Sequence, residues 1–458
     1  MKRSRKVLLW VPTLAALIAP GAALWVRARE ARAAEVRYRA GLTALDASVA
    51  HPERTDWARV QRDFAAARRA DVSPAMARSA DALYHVARAY DDLTRGDLSL
   101  ALTEAQTAST ASPDEPRATF ALALTNLRRG ERARAERLFE QVESSRDTPS
   151  ALRDRSEVHH VDVLLDAGRG HAALALAESL GRRSPRSADA QNRLGLARFA
   201  VGDVEGAAEA YRAASAADPS DPSPIINLAQ VARARGDLPG ARALLERALG
   251  VDRENGEAWL AYGVVLGDLG AENFHAARAA ILRAGQKMPD RPEPWVAQGD
   301  LDLRESHWSD AAESFRQALQ RSAEHVGART NLGVALARTG DRQGAARAFQ
   351  EVTQRAPQTG EAWNGLGAMR LALNDAQGAV GPLQQAMVLL PRDPNPAMNL
   401  GLALERLQRW DDALRAFRET LRREPTHMQA MRHMAALQPH NPRWAMARAT
   451  ASPPPAGG

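Results

Sequence analysis

The sequence predicts an all-α chain of stacked helix–turn–helix repeats, and three observations predict it. From about residue 188 to residue 427 one apolar phase returns every 34 residues, at Leu194, Leu228, Tyr262, Gln298, Leu332, Leu366 and Leu400. The residue that follows is always small: Gly195, Ala229, Gly263, Gly299, Gly333, Gly367 and Gly401. Each period also carries helix punctuation, such as Gly202-Asp203 and Gly236-Asp237 midway and Pro219, Pro357, Pro391 and Pro425 near its end. Gly inside a helix costs about 1 kcal/mol relative to Ala. A cost recurring in phase implies a recurring return, expected here to be backbone-to-backbone approach of packed helices. Arrays of this kind bury a continuous core only by stacking, and they work through surfaces.

At the N-terminus, Lys2, Arg3, Arg5 and Lys6 precede Val7 to Val26, a run without charge. About 20 apolar residues suffice for a membrane-spanning helix. Trp10 and Trp25 stand near its ends, where indoles favour the interface, and Arg27, Arg29 and Arg32 follow it. Residues 1–26 are therefore expected to be a transmembrane signal-anchor. The competing reading is a cleaved signal peptide, with Pro20-Gly21 breaking the helix and cleavage after Ala23. Either one places the body across a membrane, periplasmic in a bacterium.

Residues 27–81, with Trp57, Phe64 and Ala67, read as a helical lead-in. Residues 82–187 carry a degenerate form of the repeat, seen in Gly96-Asp97, Ala101 and Pro113, then Leu122-Ala123, Gly130, Ala135 and Phe139, then Gly168, Ala172, Leu176 and Pro185. Terminal repeats lack a neighbour on one side and are expected to diverge. Seven strict units follow: 188–221, 222–255, 256–291, 292–325, 326–359, 360–393 and 394–427. The third has two extra residues around Ala271-Glu272-Asn273, so its turn should bulge while its helices stay in phase. Residues 428–438 read as a capping helix, and residues 439–458, with Pro453-Pro454-Pro455, as a disordered tail.

Within each strict unit the second helix repeats small and aromatic positions: Ala207, Tyr211 and Ala214; Ala311, Phe315 and Ala318; Ala345 and Phe349; Ala413 and Phe417. Trp259, Trp295 and Trp363 fall three residues before the Leu position. The whole pattern resembles the tetratricopeptide repeat (TPR). That resemblance implies a right-handed superhelix, with first helices lining a concave groove and second helices forming the convex side. It also implies that the groove is built from first-helix positions around the Leu. Here those are Asn227, Asn331 and Asn399 just before it, Arg304, Arg338 and Arg406 two turns later, and Gln230 and Asp300 between. The Asn row is interrupted at Arg193, Ala261, Ala297 and Gly365. An amide can both donate to and accept from a peptide backbone, and an Arg fork can grip a carboxylate. The expected partner is a protein or peptide segment. The lysine clamp some TPR proteins use for C-terminal carboxylates is missing, because Lys287 is the only Lys in the body.

Composition narrows the remaining classes. Four of the net +6 charges lie in the first six residues, so the body is nearly neutral and nucleic acid is an unsuitable partner. There is no Cys, which removes disulfides, thiol catalysis and thiolate-bound zinc. The His are scattered: His159-His160 is the only adjacent pair, and His427 and His433 stand six apart, so no metal site or cofactor is expected. Trp308 and Trp410 are expected to pack between helices. No catalytic motif stands out. Nothing in the sequence sets an oligomeric state. The sequence thus points to a non-catalytic, membrane-tethered interaction scaffold of a bacterial cell envelope. A module of polysaccharide synthesis or export, docking a synthase or guiding a glycan, is the alternative.

Overall fold

The structure, a computed structural model, describes residues 11–48, 54–70 and 72–437, with the backbone path alone for residues 11–26. Every described element is helical. The chain divides into two compact units, residues 1–227 and 228–458.

In the first unit, α1 (Val11–Ser48) runs without interruption through Pro20 and Gly21, where the signal-peptide reading expected a break. Helix propagation adds a hydrogen bond for each further residue, which carries a long helix past one missing donor. Among the described residues no helix is long and apolar enough to cross a membrane. Residues 1–10 of the expected anchor, and the side chains of residues 11–26, lie outside the described residues, as does the expected tail at 439–458. After α1 come α2 (Trp57–Arg69), α3 (Pro74–Arg95), α4 (Leu98–Ala111), α5 (Pro116–Arg128), α6 (Arg132–Ser144), α7 (Ser150–Asp166), α8 (Gly170–Arg183), α9 (Ala188–Ala200) and α10 (Val204–Ala217). Leu45, Phe64, Leu83, Phe120 and Phe139 form a core that no solvent reaches to any extent.

Helix α11 (Ser223–Ala234) spans the division. The second unit continues with α12 (Leu238–Val251), α13 (Gly256–Leu269), a 3-10 turn at Ala271–Asn273, α14 (Phe274–Lys287), α15 (Glu293–Arg304) and α16 (Trp308–Arg321). It ends with α17 (Val326–Thr339), α18 (Arg342–Arg355), α19 (Gly360–Ala372), α20 (Ala376–Leu389), α21 (Asn395–Arg406), α22 (Trp410–Arg423) and α23 (Met428–Leu437).

At several repeats the recurring Gly has a different cause from the one expected. A Cβ on Gly195 would lie 2.5 Å from the Tyr211 ring, on Gly299 2.7 Å from Phe315, and on Gly333 2.8 Å from Phe349. The first helix gives up a side chain so that the second-helix aromatic can press against its backbone. At these repeats the close approach is ring to backbone; the expected backbone-to-backbone approach is met at Gly263, where a Cβ would lie 3.0 Å from the Ala277 carbonyl oxygen and 3.1 Å from the Ile281 nitrogen. In the third repeat the partner of Gly263 is Ile281, two residues later in spacing than its counterparts, so the extra pair is absorbed wholly by the 3-10 turn. The bulge is where the sequence placed it.

Turn chemistry repeats as well. Gly202 adopts φ +86, after which the Asp203 carboxylate accepts from the Gly206 N–H and caps α10. Asp237, Asp341 and Asp375 do the same for Gly240, Gly344 and Gly378, at 2.9, 2.8 and 2.7 Å. In three repeats the left-handed position is held without Gly, by Ser306, Asn374 and Gln408.

Candidate functional site

First-helix faces hold the features that packing leaves over. In the second unit, α13 and α15 bound a cavity of about 290 Å³. Its apolar wall is Leu260, Val264, Val296 and Leu301, with Gly263, Gly267 and Ala297 leaving the space open. Ala297 occupies the register where other repeats carry Asn, so the gap in the Asn row and the cavity are one feature. Asp300, Glu293 and His325 border the cavity, as do Arg233 and Arg304.

Three first helices are tied together beside it. Asp268 of α13 accepts from Arg233 of α11 at 2.6 Å and from Arg304 of α15 at 2.8 Å. Burial pushes the Asp268 carboxyl up, but the two guanidinium bonds outweigh it and hold the group below the usual carboxylate range. Asp300 behaves oppositely. Burial pushes it up, and a hydrogen bond from Asn331 with the charges of Arg304 and His325 only partly offsets that.

Each residue expected to meet a partner can now be placed. In the first unit Asn227 Nδ2 donates to Asn192 Oδ1 at 2.9 Å. In the second, Asn331 Nδ2 donates to Asp300 Oδ1 at 2.8 Å and Asn399 Nδ2 to Asn364 Oδ1 at 3.1 Å. The three amides thus stitch successive first helices, each keeping its oxygen and a second N–H for other use. Arg304 belongs to the Asp268 clasp. Arg406 Nη1 donates to the Leu371 carbonyl at 2.5 Å. Arg338 lies over the Trp308 ring, 5.2 Å from its centroid, so that indole packs within the protein. Gln230 has no side-chain partner among the described residues. Only Arg304, of the seven, borders the cavity.

Other arrangements were not anticipated. Arg321 Nε donates to the Pro289 carbonyl at 2.7 Å, and Arg423 Nη1 donates to the Leu390 and Asp393 carbonyls at 2.9 and 2.7 Å. Second-helix C-terminal arginines thus cap the preceding inter-repeat turn, a role their recurrence at the repeat period (321, 355, 423) would have signalled. Trp259 and Trp363 donate their indole N–H to carbonyls six residues earlier, both at 2.8 Å. The Trp295 N–H is buried without an acceptor among the described residues, while Arg321 donates to the Pro289 carbonyl six residues before it.

Two groups of carboxylates and His come close enough to share an ion, contrary to what His spacing suggested: Glu136, Glu140 and His160, and Asp302, Glu305 and His307. Both are engaged in ion pairs. Arg169 holds Glu136 at 2.6 Å and His160 Nδ1 meets Glu143 at 3.1 Å, while Arg278 spans Asp302 and Glu305.

Comparison with known proteins agrees with this geometry. Two family models, both described as tetratricopeptide repeat, match residues 86–151, 159–222 and 398–452, and residues 198–263 and 302–369. Together they cover more than half of the chain. The TPR repeat-containing protein PA4667 of Pseudomonas aeruginosa is 28% identical over 196 residues, 40% of this chain and 33% of that protein. A probable biofilm formation methyltransferase, WspC of Pseudomonas putida, is 36% identical over 92 residues, 20% of this chain and 22% of that protein. The chain thus spans a third or less of the length of these relatives, and both are bacterial, which supports a bacterial source. Among solved structures, the anaphase-promoting-complex assembly Cut9-Hcn1 aligns with a TM-score of 0.52 at 15% identity, covering 89% of this chain and 84% of that one. That likeness concerns the fold.

Proposed function

Because this chain is built from tetratricopeptide repeats, a fold that is generally non-catalytic and binds proteins, we propose that it is an interaction scaffold holding a partner polypeptide along its first-helix face. The observation that carries this reading is the cavity at Ala297. Apolar walls suit one partner side chain, and the flanking Asp300, Glu293, Arg233 and Arg304 suit the polar backbone and charges on either side of it. The free amide valences of Asn331 and Asn399 extend the same face. A tether at residues 1–26 would hold the scaffold at the inner membrane of a bacterial envelope with its body in the periplasm. The uncharged run Val7 to Val26 behind four basic residues supports that part of the proposal. The glycan-handling reading needs free aromatic faces, and Arg283, Arg321 and Arg338 cover those of Trp259, Trp295 and Trp308.

A peptide-display search against the full chain tests the groove. Peptides selected on the wild type should share one apolar anchor and lose binding to Ala297→Trp, which fills the cavity. Capture that survives Ala297→Trp, Asn331→Ala and Arg406→Glu would end this reading. Membrane fractionation with N-terminal sequencing tests the tether, which fails if the intact chain stays in the soluble fraction.

A further inference from the structure

We propose that a second cavity, in the first unit, binds a carboxylate carried on an apolar body about the size of one amino-acid residue. The cavity holds about 210 Å³ and lies among α1, α2, α3, α5 and α7, with Ser48 at the end of α1 on its border. Trp57, Tyr90, Phe120 and Leu124 form its walls, and Arg128, Arg155 and His159 form its polar end. Trp57 and Tyr90 stack with centroids 5.5 Å apart, so the aromatic wall is continuous.

The charge balance points to an anion. Arg155 is half-buried, and burial holds its guanidinium below its ordinary value, with Asp189 and Tyr90 only partly opposing this. Among the described residues neither Arg155 nor Arg128 has an ion-pair or hydrogen-bond partner. Two other partly buried arginines of this unit are matched: Arg193 grips Asp162 with two bonds of 3.0 Å, and Arg117 grips Asp46 at 2.7 and 2.9 Å. His159 does not supply an additional charge. Burial first, then repulsion from Arg193, Arg155 and Arg128, pulls it down to about 3, so it is a neutral ring at physiological pH. Two positive groups therefore face a pocket whose lining, among the described residues, contains no carboxylate. A half-buried guanidinium without a partner is costly, and a carboxylate is the planar anion its fork fits. The aromatic walls favour an apolar body over a heavily hydrated phosphate. The volume lies below the roughly 300 Å³ at which drug-sized ligand pockets begin, which limits that body to a single residue or its equivalent.

Two sources share this chemistry, a free small carboxylic acid and the C-terminal residue of a polypeptide. The proposal does not depend on the Ala297 groove, which lies in the other unit. Isothermal titration of the full-length chain would use N-acetylphenylalanine, its C-terminal amide, and an octapeptide ending in phenylalanine. The acid should bind at least about tenfold more tightly than the amide, since the fork requires the anion. Arg155→Met should abolish binding of the acid while keeping wild-type helical circular dichroism and an equal or higher Tm. Arg128→Gln, at an exposed position, should weaken binding several-fold. A peptide binding more tightly than the free acid identifies a polypeptide terminus as the source, and equal affinities identify a small acid. The proposal is overturned if acid and amide bind alike, if neither the acid nor the peptide binds, or if Arg155→Met and Arg128→Gln both bind as the wild type does. Ala297→Trp should leave the titration unchanged, so this site and the groove can fail separately.

Discussion

Gly333 and Phe349 are sixteen residues apart and in direct apposition: a Cβ on the glycine would sit 2.8 Å from the aromatic ring. The same ring also leaves only 2.7 Å for a Cβ on Gly365, in the next repeat. One Phe is therefore held between two side-chain-free positions. Gly333→Ala should destabilise the second unit by about 1–3 kcal/mol, the usual cost of overpacking, despite the better helix propensity of Ala. Adding Phe349→Leu should recover part of the loss. Urea denaturation followed by tryptophan fluorescence would measure both, and a stabilised Gly333→Ala would refute the ring-to-backbone account.

Gln408 takes the left-handed turn position at φ 59 that Gly202 takes at φ +86. A residue with a Cβ costs about 1–2 kcal/mol in that conformation, and Gly escapes most of it. Gln408→Gly should raise stability by roughly 1 kcal/mol, and Gly340→Ala, at φ +93, should lower it by a similar amount. Paired thermal melts of the two variants would check the sign.

Arg423 is 6% exposed at its side chain and serves the carbonyls of Leu390 and Asp393 together with the Glu419 carboxylate. Arg423→Met keeps the apolar stem but strands those acceptors, with an expected loss of about 2–3 kcal/mol. Hydrogen exchange should show the damage concentrated where α20 meets α21 and α22. Uniform loss of protection across the unit would contradict a local capping role.

Asp268 and Asp300 should respond to acid in opposite senses. The folded-state pKa of Asp268 is lowered, so its contribution is present above the ordinary carboxylate value and is lost as pH falls through the lower, folded value. The folded-state pKa of Asp300 is raised, so its ionised form is a net cost at neutral pH, and that cost disappears as pH falls through the raised value. Asp300→Asn keeps an oxygen for Asn331. It should be more stable than wild type at neutral pH and lose that advantage in acid. Asp268→Asn should be less stable at neutral pH, with the difference closing only at lower pH. Denaturation midpoints across the acid range would reveal either pattern.

The parts of this molecule that the sequence made legible are those written at the repeat period. The small residue after Leu194 and its counterparts, the Asp203-type caps and the extra pair at Ala271–Asn273 all follow from spacing along the chain. What faces what across that spacing was less accessible. Gly333 announces a close approach, yet only the position of Phe349 on the second helix identifies a ring as the approaching group. Asn227, Asn331 and Asn399 were visible as a row, but their donation into the preceding helix depends on how successive helices sit, with partners 35, 31 and 35 residues back. The cavity at Ala297 looked like a mere gap in that row. The Arg155 cavity is assembled from five helices of the lead-in and the degenerate region, where no period links Trp57 to Tyr90, Phe120 or His159.

The 3-10 turn at Ala271–Asn273 shows that this stretch tolerates a change in chain length, since Gly263 still meets Ile281 across it. Glu272 and Asn273 face each other there at 3.1 Å without anchoring any neighbouring repeat. An epitope tag or a fluorophore-bearing loop spliced between them, outside the lining of the Ala297 cavity, should leave the stack intact. The irregular repeat is thus a natural port for instrumenting the protein.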